Sequence, residues 1–351
     1  MIAQSLTDAE KHGSASVHQG FFVSPTVSNA HPETELLSAE VSDALAGKRF
    51  DQALAELFPQ FSRSRLTSWI KDGKALLNDV QVRPRDPVSQ GDLVRIEAEM
   101  REEVRDAPED IAIDVIYEDK DVLVINKAAG LVVHPGAGNA TGTLVNALLH
   151  FDARLREVPR AGIVHRLDKD TSGALVVARN VEAHASLVAQ LSEREVSRRY
   201  LALVVGEIIA GNRIDKPIDR SPHDRLKMAV REGGRDAVTH YRVAERFRAH
   251  TLLNCQLETG RTHQIRVHLA SIRHAIVGDP MYGNGLKIPK AATPELDATL
   301  RAFRRQALHA QYLEFEHPRT GKLISNEAPV PTDMLDLLNV LRADSKAYAA
   351  R

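Results

Sequence analysis

From Ala237 to Gly260 the chain reads "AVTHYRVAERFRAHTLLNCQLETG", two strand-like runs separated by only a few residues. No other feature constrains the fold as strongly. Parallel neighbours need a crossover of a dozen or more residues, so strands joined this tightly must lie antiparallel. "IDVIYEDKDVLVINKAAG" repeats the pattern of strand, turn and strand, and "RRYLALVVGE" supplies another strand. Helical spacing appears in "TLVNALLHF", in residues 181–194 and in "RTHQIRVHLASIR", where Ile265, Leu269 and Ile272 fall at i, i+4 and i+7. Strands adjoin in hairpins more often than they alternate with helices. The expectation is an α+β domain with a mixed, largely antiparallel sheet, not a doubly wound one.

A smaller unit is expected ahead of it, over residues 45–100. "FDQALAELF" puts Phe50, Leu54, Leu57 and Phe58 on one helical stripe that Pro59 ends. Ser62 can cap a second helix, "RSRLTSWIKDG", which Gly73 closes. Leu66, Trp69 and Ile70 face inward, which leaves Arg63, Arg65 and Lys71 outside as candidate RNA contacts. "ALLN", "VQVR" and "DLVRIEAE" read as short strands. "SRSRLTSWIKDGKALLNDVQV" resembles the S4 RNA-binding domain, two helices on a small sheet, with Phe50 where that family more often has Leu. Residues 1–40, rich in Ser, His, Ala and Thr, read as a disordered arm. Residues 101–110 read as an acidic linker, 111–340 as the main domain and 341–351 as a C-terminal tail.

The net charge of −1 provides no global field for nucleic acid, but the charge is unevenly placed. Residues 97–121 hold 11 acidic groups against 3 basic ones, while residues 63–74 hold 4 basic and 1 acidic. A near-zero sum can hide a local phosphate-binding face. No apolar run reaches the ~18–20 residues of a membrane span. The N-terminal segment has no apolar core of a signal peptide. A lone Cys255 excludes an internal disulfide and a multi-cysteine zinc site. A cytoplasmic protein that makes no membrane contact is expected.

The chemistry concentrates in "HRLDKDTSG", residues 165–173, between the apolar runs "AGIV" and "ALVVA". Asp170, Thr171, Ser172 and Gly173 are adequate turn residues. Asp168, preceded by His165 and Arg166, is a candidate nucleophile, base or electrostatic anchor; a structural ion pair is the plain alternative. "LETGRTHQIRVHL" is its complement. Thr259 or Thr262 can cap a helix whose start crowds Arg261, His263 and Arg266 where the helix dipole disfavours cations. Something anionic belongs there, and Asp168 is a candidate. "HPGAGNATGT" lacks the lysine of a P-loop and misses the dinucleotide spacing. His263 and His268 do not share a helix face, so they are no metal pair. Asp168 and Asp170 are too loosely fixed on a turn for a glycosidase pair.

"INKAAGLVVHPG", "GIVHRLDKDTSGALVVARN", "RRYLALVVGE", "ETGRTHQIRVHLASIRHAIVGDPMYG" and "RQALHAQYLEFEHPRTGK" together resemble the RluA family of RNA pseudouridine synthases over residues 42–342. Ala128 departs from the family's usual "NKPAG". The resemblance implies isomerisation of uridine to pseudouridine in large-subunit ribosomal RNA, with the helix 69 stem-loop as the expected target. It implies no cofactor and no metal, because no atom is gained or lost, and a monomer is expected. It makes Asp168 the catalytic residue, Tyr200 the ring that packs on the target base and Arg266 the partner of Asp168. Arg166 then fills the space left by an extruded base, and His165 and Arg261 complete the substrate contacts. Asn126 and Lys127 look like structural support at the cleft edge. An RNA-binding protein with a degenerate enzyme domain is the rival from another class.

Overall fold

The computed structural model describes residues 33–59, 61, 63–100, 107–136, 138–224, 226–283 and 285–351. The chain divides into two compact units on either side of the Glu103–Val104 bond.

The first unit begins with β1 (Glu33–Glu40), followed by helices α1 (Phe50–Leu57) and α2 (Arg63–Lys71) and strands β2 (Ala75–Leu77) and β3 (Leu93–Met100). The sheet order is β1-β3-β2, antiparallel throughout. Phe50, Leu54, Phe58, Leu66, Trp69 and Ile70 form its core with Val94 and Ile96. α2 closes as expected: Gly73 turns left-handed at φ 71°, its N–H reaches Ile70 O and the Lys74 N–H reaches Trp69 O. Two expectations are corrected here. Residues 33–40 are not arm but a full strand along β3, whose Leu37 and Ala39 pack on the core. "VQVR" forms no strand. Val80 only bridges Leu77, and the Gln81 amide instead donates to the Ile70 and Lys71 carbonyls at the end of α2. The cap read at Ser62 lies outside the described residues, as do residues 1–32 and 101–106.

The second unit runs through β4 (Val115–Glu118), β5 (Val122–Lys127), α3 (Leu144–Phe151), β6 (Ser172–Ala178), α4 (Val181–Glu193), β7 (Ser197–Val205), β8 (Asn212–Asp215), β9 (Ile218–Arg220), β10 (Met228–Val230), β11 (Val238–Arg246) and β12 (His250–Leu257). α5 (Gln264–Ser271), α6 (Pro294–Ala302), β13 (Leu308–Glu316), β14 (Leu323–Glu327) and α7 (Thr332–Ala349) complete it. Nine strands form one sheet in the order β4-β5-β6-β13-β7-β12-β11-β8, with β14 on β13. Only β6 and β13 pair in parallel. The sheet is therefore mixed and largely antiparallel, as the hairpin pattern requires. "ALVVA" is apolar without alternation because both faces of β6 are covered: Leu175 and Val177 join one core, Ala174 and Val176 another under α4.

The flanking "AGIV" is not a matching strand. Arg160, Ala161 and Gly162 all have positive φ, and only Ile163 bridges β6. Ser172 and Gly173, read as turn residues, already belong to β6. Gly173 is needed for close approach, since a Cβ there would fall 2.2 Å from Ala310 O on β13. The expected tail at 341–351 is mostly the end of α7. Leu341 continues the buried stripe of Met334, Leu337 and Leu338, and Asp344 takes Arg248 Nη1 at 2.9 Å. Residues 107–109 are held to the second unit, with Asn146 Nδ2 on Ala107 O and the Glu109 carboxylate on Gly142 N–H.

Candidate active site

A cleft of about 810 Å³ opens on the second unit, lined from the loop before β6 and from β7, the end of β12 and the start of α5. That volume suits a small-molecule-sized group, on the scale of ~300–1,000 Å³. Asp168, Tyr200, Arg266, Arg166, His165 and Arg261, far apart in sequence, all line it.

Asp168 starts a tight turn closed by Thr171 N–H on the Asp168 carbonyl, 3.0 Å. Its side chain, 16% exposed, receives Arg266 Nη1 on Oδ2 at 2.9 Å. The other oxygen, Oδ1, stands 3.9 Å from His263 Nε2. Arg266 is itself held from behind. Its Nε and Nη2 engage Asp279 in a two-point pair at 2.7 and 3.0 Å. Asp279 also accepts the N–H groups of Met281 and Tyr282. Burial opposes both charges, yet the pairing wins: the Arg266 pKa is raised and that of Asp279 lies below the carboxylate range.

The expected threonine caps are absent. His263 precedes α5 in the left-handed region, φ 56° and ψ 20°, without a side-chain cap. Gln264 does the work instead: its Oε1 accepts Arg261 N–H and the Thr259 hydroxyl, and its Nε2 donates to Val238 O. The strained His263 backbone is held by its ring, for His263 Nδ1 shares a hydrogen bond of 2.7 Å with the Tyr282 hydroxyl, which also accepts the Met228 N–H. The other ring nitrogen, Nε2, faces Asp168. Burial outweighs the pull of Asp168 and holds His263 below its ordinary pKa, so at neutral pH it is no counter-ion.

His165 is likewise neutral. Its Nε2 accepts the Val176 N–H, and burial, then Arg198, push its pKa down to about 3. Tyr200 is buried on β7 and its phenol is pushed up by that burial, so it enters the cleft as a neutral ring. Arg166 is exposed at the cleft. Arg261 donates Nε to Asp236 O.

Lys127 lies beneath the loop, not at the cleft edge. Its buried ammonium donates to the carbonyls of Ala128, Leu131 and Lys169, and burial brings its pKa down to about 8 against the pull of Asp170 and Asp168. Asn126 is outside the cleft, bound to Asp114. In the first unit, Arg65 stacks 4.9 Å from the Trp69 ring and Lys71 is exposed; nothing is described of the Arg63 side chain. Sequence reasoning missed Arg160, Arg194 and Arg198 on the cleft wall, and Asp279 and Tyr282 behind it. Strand alternation along "SRRY" places Arg198 on the face of Tyr200, a signal available in the sequence.

Cys255 is no nucleophile here, since burial pushes its thiol up to about 12. Among the described residues, Asp119, Asp121 and His317 are the group with metal-ligand geometry. Its donors are already engaged: Asp119 accepts from Tyr117 and His317, and Asp121 is paired with Arg319. A cation there would face a guanidinium.

Residues 121–271 match the family model described as RNA pseudouridylate synthase. That stretch includes Asp168, Tyr200 and Arg266 and ends before Asp279. The "Ribosomal large subunit pseudouridine synthase D" of Xanthomonas campestris pv. campestris is 60% identical over 317 residues, covering 90% of this chain and 96% of that protein. The protein of the same name from Escherichia coli K12 is 52% identical over 313 residues, covering 89% and 96%. Among solved structures, "Human RNA Pseudouridylate Synthase Domain Containing 4" aligns with a TM-score of 0.52 at 26% identity, over 65% of this chain and 93% of that one. Identity at this level over nearly the whole of two relatives does not arise from shared architecture alone, and the chain belongs to the RluA family of RNA pseudouridine synthases.

Proposed function

We propose that the protein converts uridines of large-subunit ribosomal RNA to pseudouridine, with Asp168 as its catalytic residue and the helix 69 stem-loop as its target. The observation that carries this reading is the Asp168–Arg266 pair inside a cleft whose other walls hold Tyr200 and a set of arginines. The reaction detaches the base at C1′–N1, turns it and rejoins it through C5. Asp168 serves it either by attack or by removing a sugar proton. Arg266, fixed by Asp279, holds one oxygen of the carboxylate and orients it.

A paired uridine must leave its helix to reach C1′, at a cost of a few kcal/mol. The buried Tyr200 ring offers it a stacking surface. Exposed Arg166 is free to occupy the vacated space, while Arg261 and neutral His165 contact the flipped nucleotide. The first unit, with its S4-like pair of helices on a small sheet, holds RNA phosphates through Arg63, Arg65 and Lys71. In this reading the enzyme acts as a cytoplasmic monomer. No described helix is long and apolar enough to cross a membrane.

The test is to incubate transcribed large-subunit rRNA with the protein in EDTA and to map pseudouridine by carbodiimide-dependent primer extension. Stops with wild type and none with Asp168→Asn are expected. Failure of the wild type to make product, or product from the Asp168→Asn protein, would sink the reading. Stops only outside helix 69 would remove that target.

A further inference from the structure

Among the described residues, Arg198 is a buried charge without a carboxylate partner. Along β7, alternation sends Arg199 to one face, over the Tyr312 ring, and sends Arg198 and Tyr200 to the cleft face. Arg198 is 7% exposed. Its Nε has no hydrogen-bond partner, and among the described residues no carboxylate pairs with its guanidinium. Glu258, on the same cleft wall, is taken by His240 and Arg194. Gly260 leaves room for the guanidinium, since a Cβ there would come within 2.8 Å of Nη1. A guanidinium cannot shed its proton, so an unpaired one in this position is costly. The cost is offset when an anion arrives with the substrate.

Two anions come with a uridine, the backbone phosphate and the base once detached. Arg198 lies beside Tyr200, and Tyr200 feels the charges of both Arg198 and Asp168. A group so enclosed meets what goes deepest into the cleft, which is the base. When C1′–N1 breaks, the electron pair leaves with uracil, and the charge spreads over N1, O2 and O4. C1′ is satisfied either by a bond to the Asp168 carboxylate or by loss of a proton from the adjacent sugar carbon to it. C5 then bonds to C1′ as the Asp168–C1′ bond breaks or, on the other route, as Asp168 returns the proton to the sugar carbon; the C5 proton departs and N1 ends protonated.

Resting on the function proposed above, we propose that Arg198 is a second catalytic residue, donating hydrogen bonds to a carbonyl oxygen of the detached uracil anion. A half-turn of the ring about its N3–C6 axis exchanges N1 with C5 and, with them, O2 with O4. One fixed donor therefore serves the base before and after its turn, and the neutral His165 beside it brings no competing charge. The interaction strengthens as charge develops, which is the condition for lowering a barrier rather than tightening binding.

The test compares single-turnover rates and RNA affinity across salt for Arg198→Gln, Arg198→Lys and Arg198→Ala. Removing the donor in the Gln protein should slow isomerisation by about a hundredfold or more. The Kd and its salt slope should not move. Lys should retain part of the rate, and added guanidinium should restore part of it to the Ala protein. Melting temperatures should equal or exceed wild type, because an unpaired buried charge has gone. An unchanged rate would overturn the proposal. So would weaker binding with a slope reduced by ~0.7–0.9, which would assign Arg198 to a phosphate. So would a lower melting temperature with no rescue by Lys or guanidinium, which would make it structural. An inactive wild type, or an active Asp168→Asn protein, is the separate failure of the parent reading and overturns both.

Discussion

Asp279→Ala isolates the support behind the site. Arg266 and Asp279 have side chains 5% and 0% exposed, joined by bonds of 2.7 and 3.0 Å. Breaking a buried pair from one side typically costs about 3–5 kcal/mol, because the surviving charge stays buried. Here Asp168 remains as a second partner for Arg266, which favours the lower end. Against that, Met281 and Tyr282 lose the acceptor for their N–H groups, at roughly 1 kcal/mol each or more if water cannot reach them. A loss of about 3–5 kcal/mol is expected, or on the order of 10 °C in melting temperature for a unit of this size. Urea unfolding followed by near-ultraviolet circular dichroism gives the number. The same substitution in an Arg266→Met background should cost at least ~2 kcal/mol less, since no charge is then stranded. A cost below ~1 kcal/mol, or one that is the same in both backgrounds, would refute the reasoning.

Asp168→Asn removes charge and basicity with little change of shape, and single-turnover activity should fall at least a thousandfold, about 4 kcal/mol of barrier. Asp170→Asn should keep most activity, because Asp170 contributes its carbonyl to Arg305 rather than its carboxylate to the cleft. Tyr200→Phe should bind target RNA like wild type and react within about tenfold of it, whereas Tyr200→Ala should lose roughly 1–3 kcal/mol of binding; a hundredfold loss in the Phe protein would give the hydroxyl a proton-transfer role. Acid should destabilise the fold well above the carboxylate range. Burial holds His165 at about 3 and His250 at about 4, so the unfolded chain binds protons below its ordinary histidine pKa of ~6.5 that the folded chain refuses. Stability is then full above pH ~6.5 and falls towards pH 4 by up to about 2.7 kcal/mol per unit from these two groups, and a urea midpoint flat from pH 7 to 4.5 would contradict it.

The hairpins were legible because alternation and short turns act locally, and the sheet that they build is the one observed. The cleft residues were legible through motifs, because Asp168, Tyr200 and Arg266 each sit in a distinctive stretch. What sequence reading missed depends on distant partners. β1 is a weak apolar pattern that becomes a strand only because β3 offers a full register. Gly173 looks like a turn glycine until β13 is seen against it. Gln264 displaces the threonines from the cap because its amide reaches four residues at once, Thr259, Arg261, Val238 and Thr239. Asp279 stands within "VGDPMYG" with no local sign that its partner is Arg266.

The same dependence accounts for the crowding of polar groups into "HRLDKDTSG". Four groups of the turn are fixed by residues far from it in sequence. Lys127 takes the Lys169 carbonyl, Arg305 the Asp170 carbonyl, Gln306 the Thr171 hydroxyl and His309 the Ser172 hydroxyl. His165 is fixed from within, on the Val176 N–H. Asp168 is tied at one oxygen only, to Arg266 at 2.9 Å, while its other oxygen stands 3.9 Å from His263 Nε2 on the cleft wall. A turn anchored at these positions spends much of its conformational freedom during folding, not during the reaction. On the reading proposed for Asp168, that preorganisation is what a carboxylate needs when the atom it must reach arrives on a base turning in front of it.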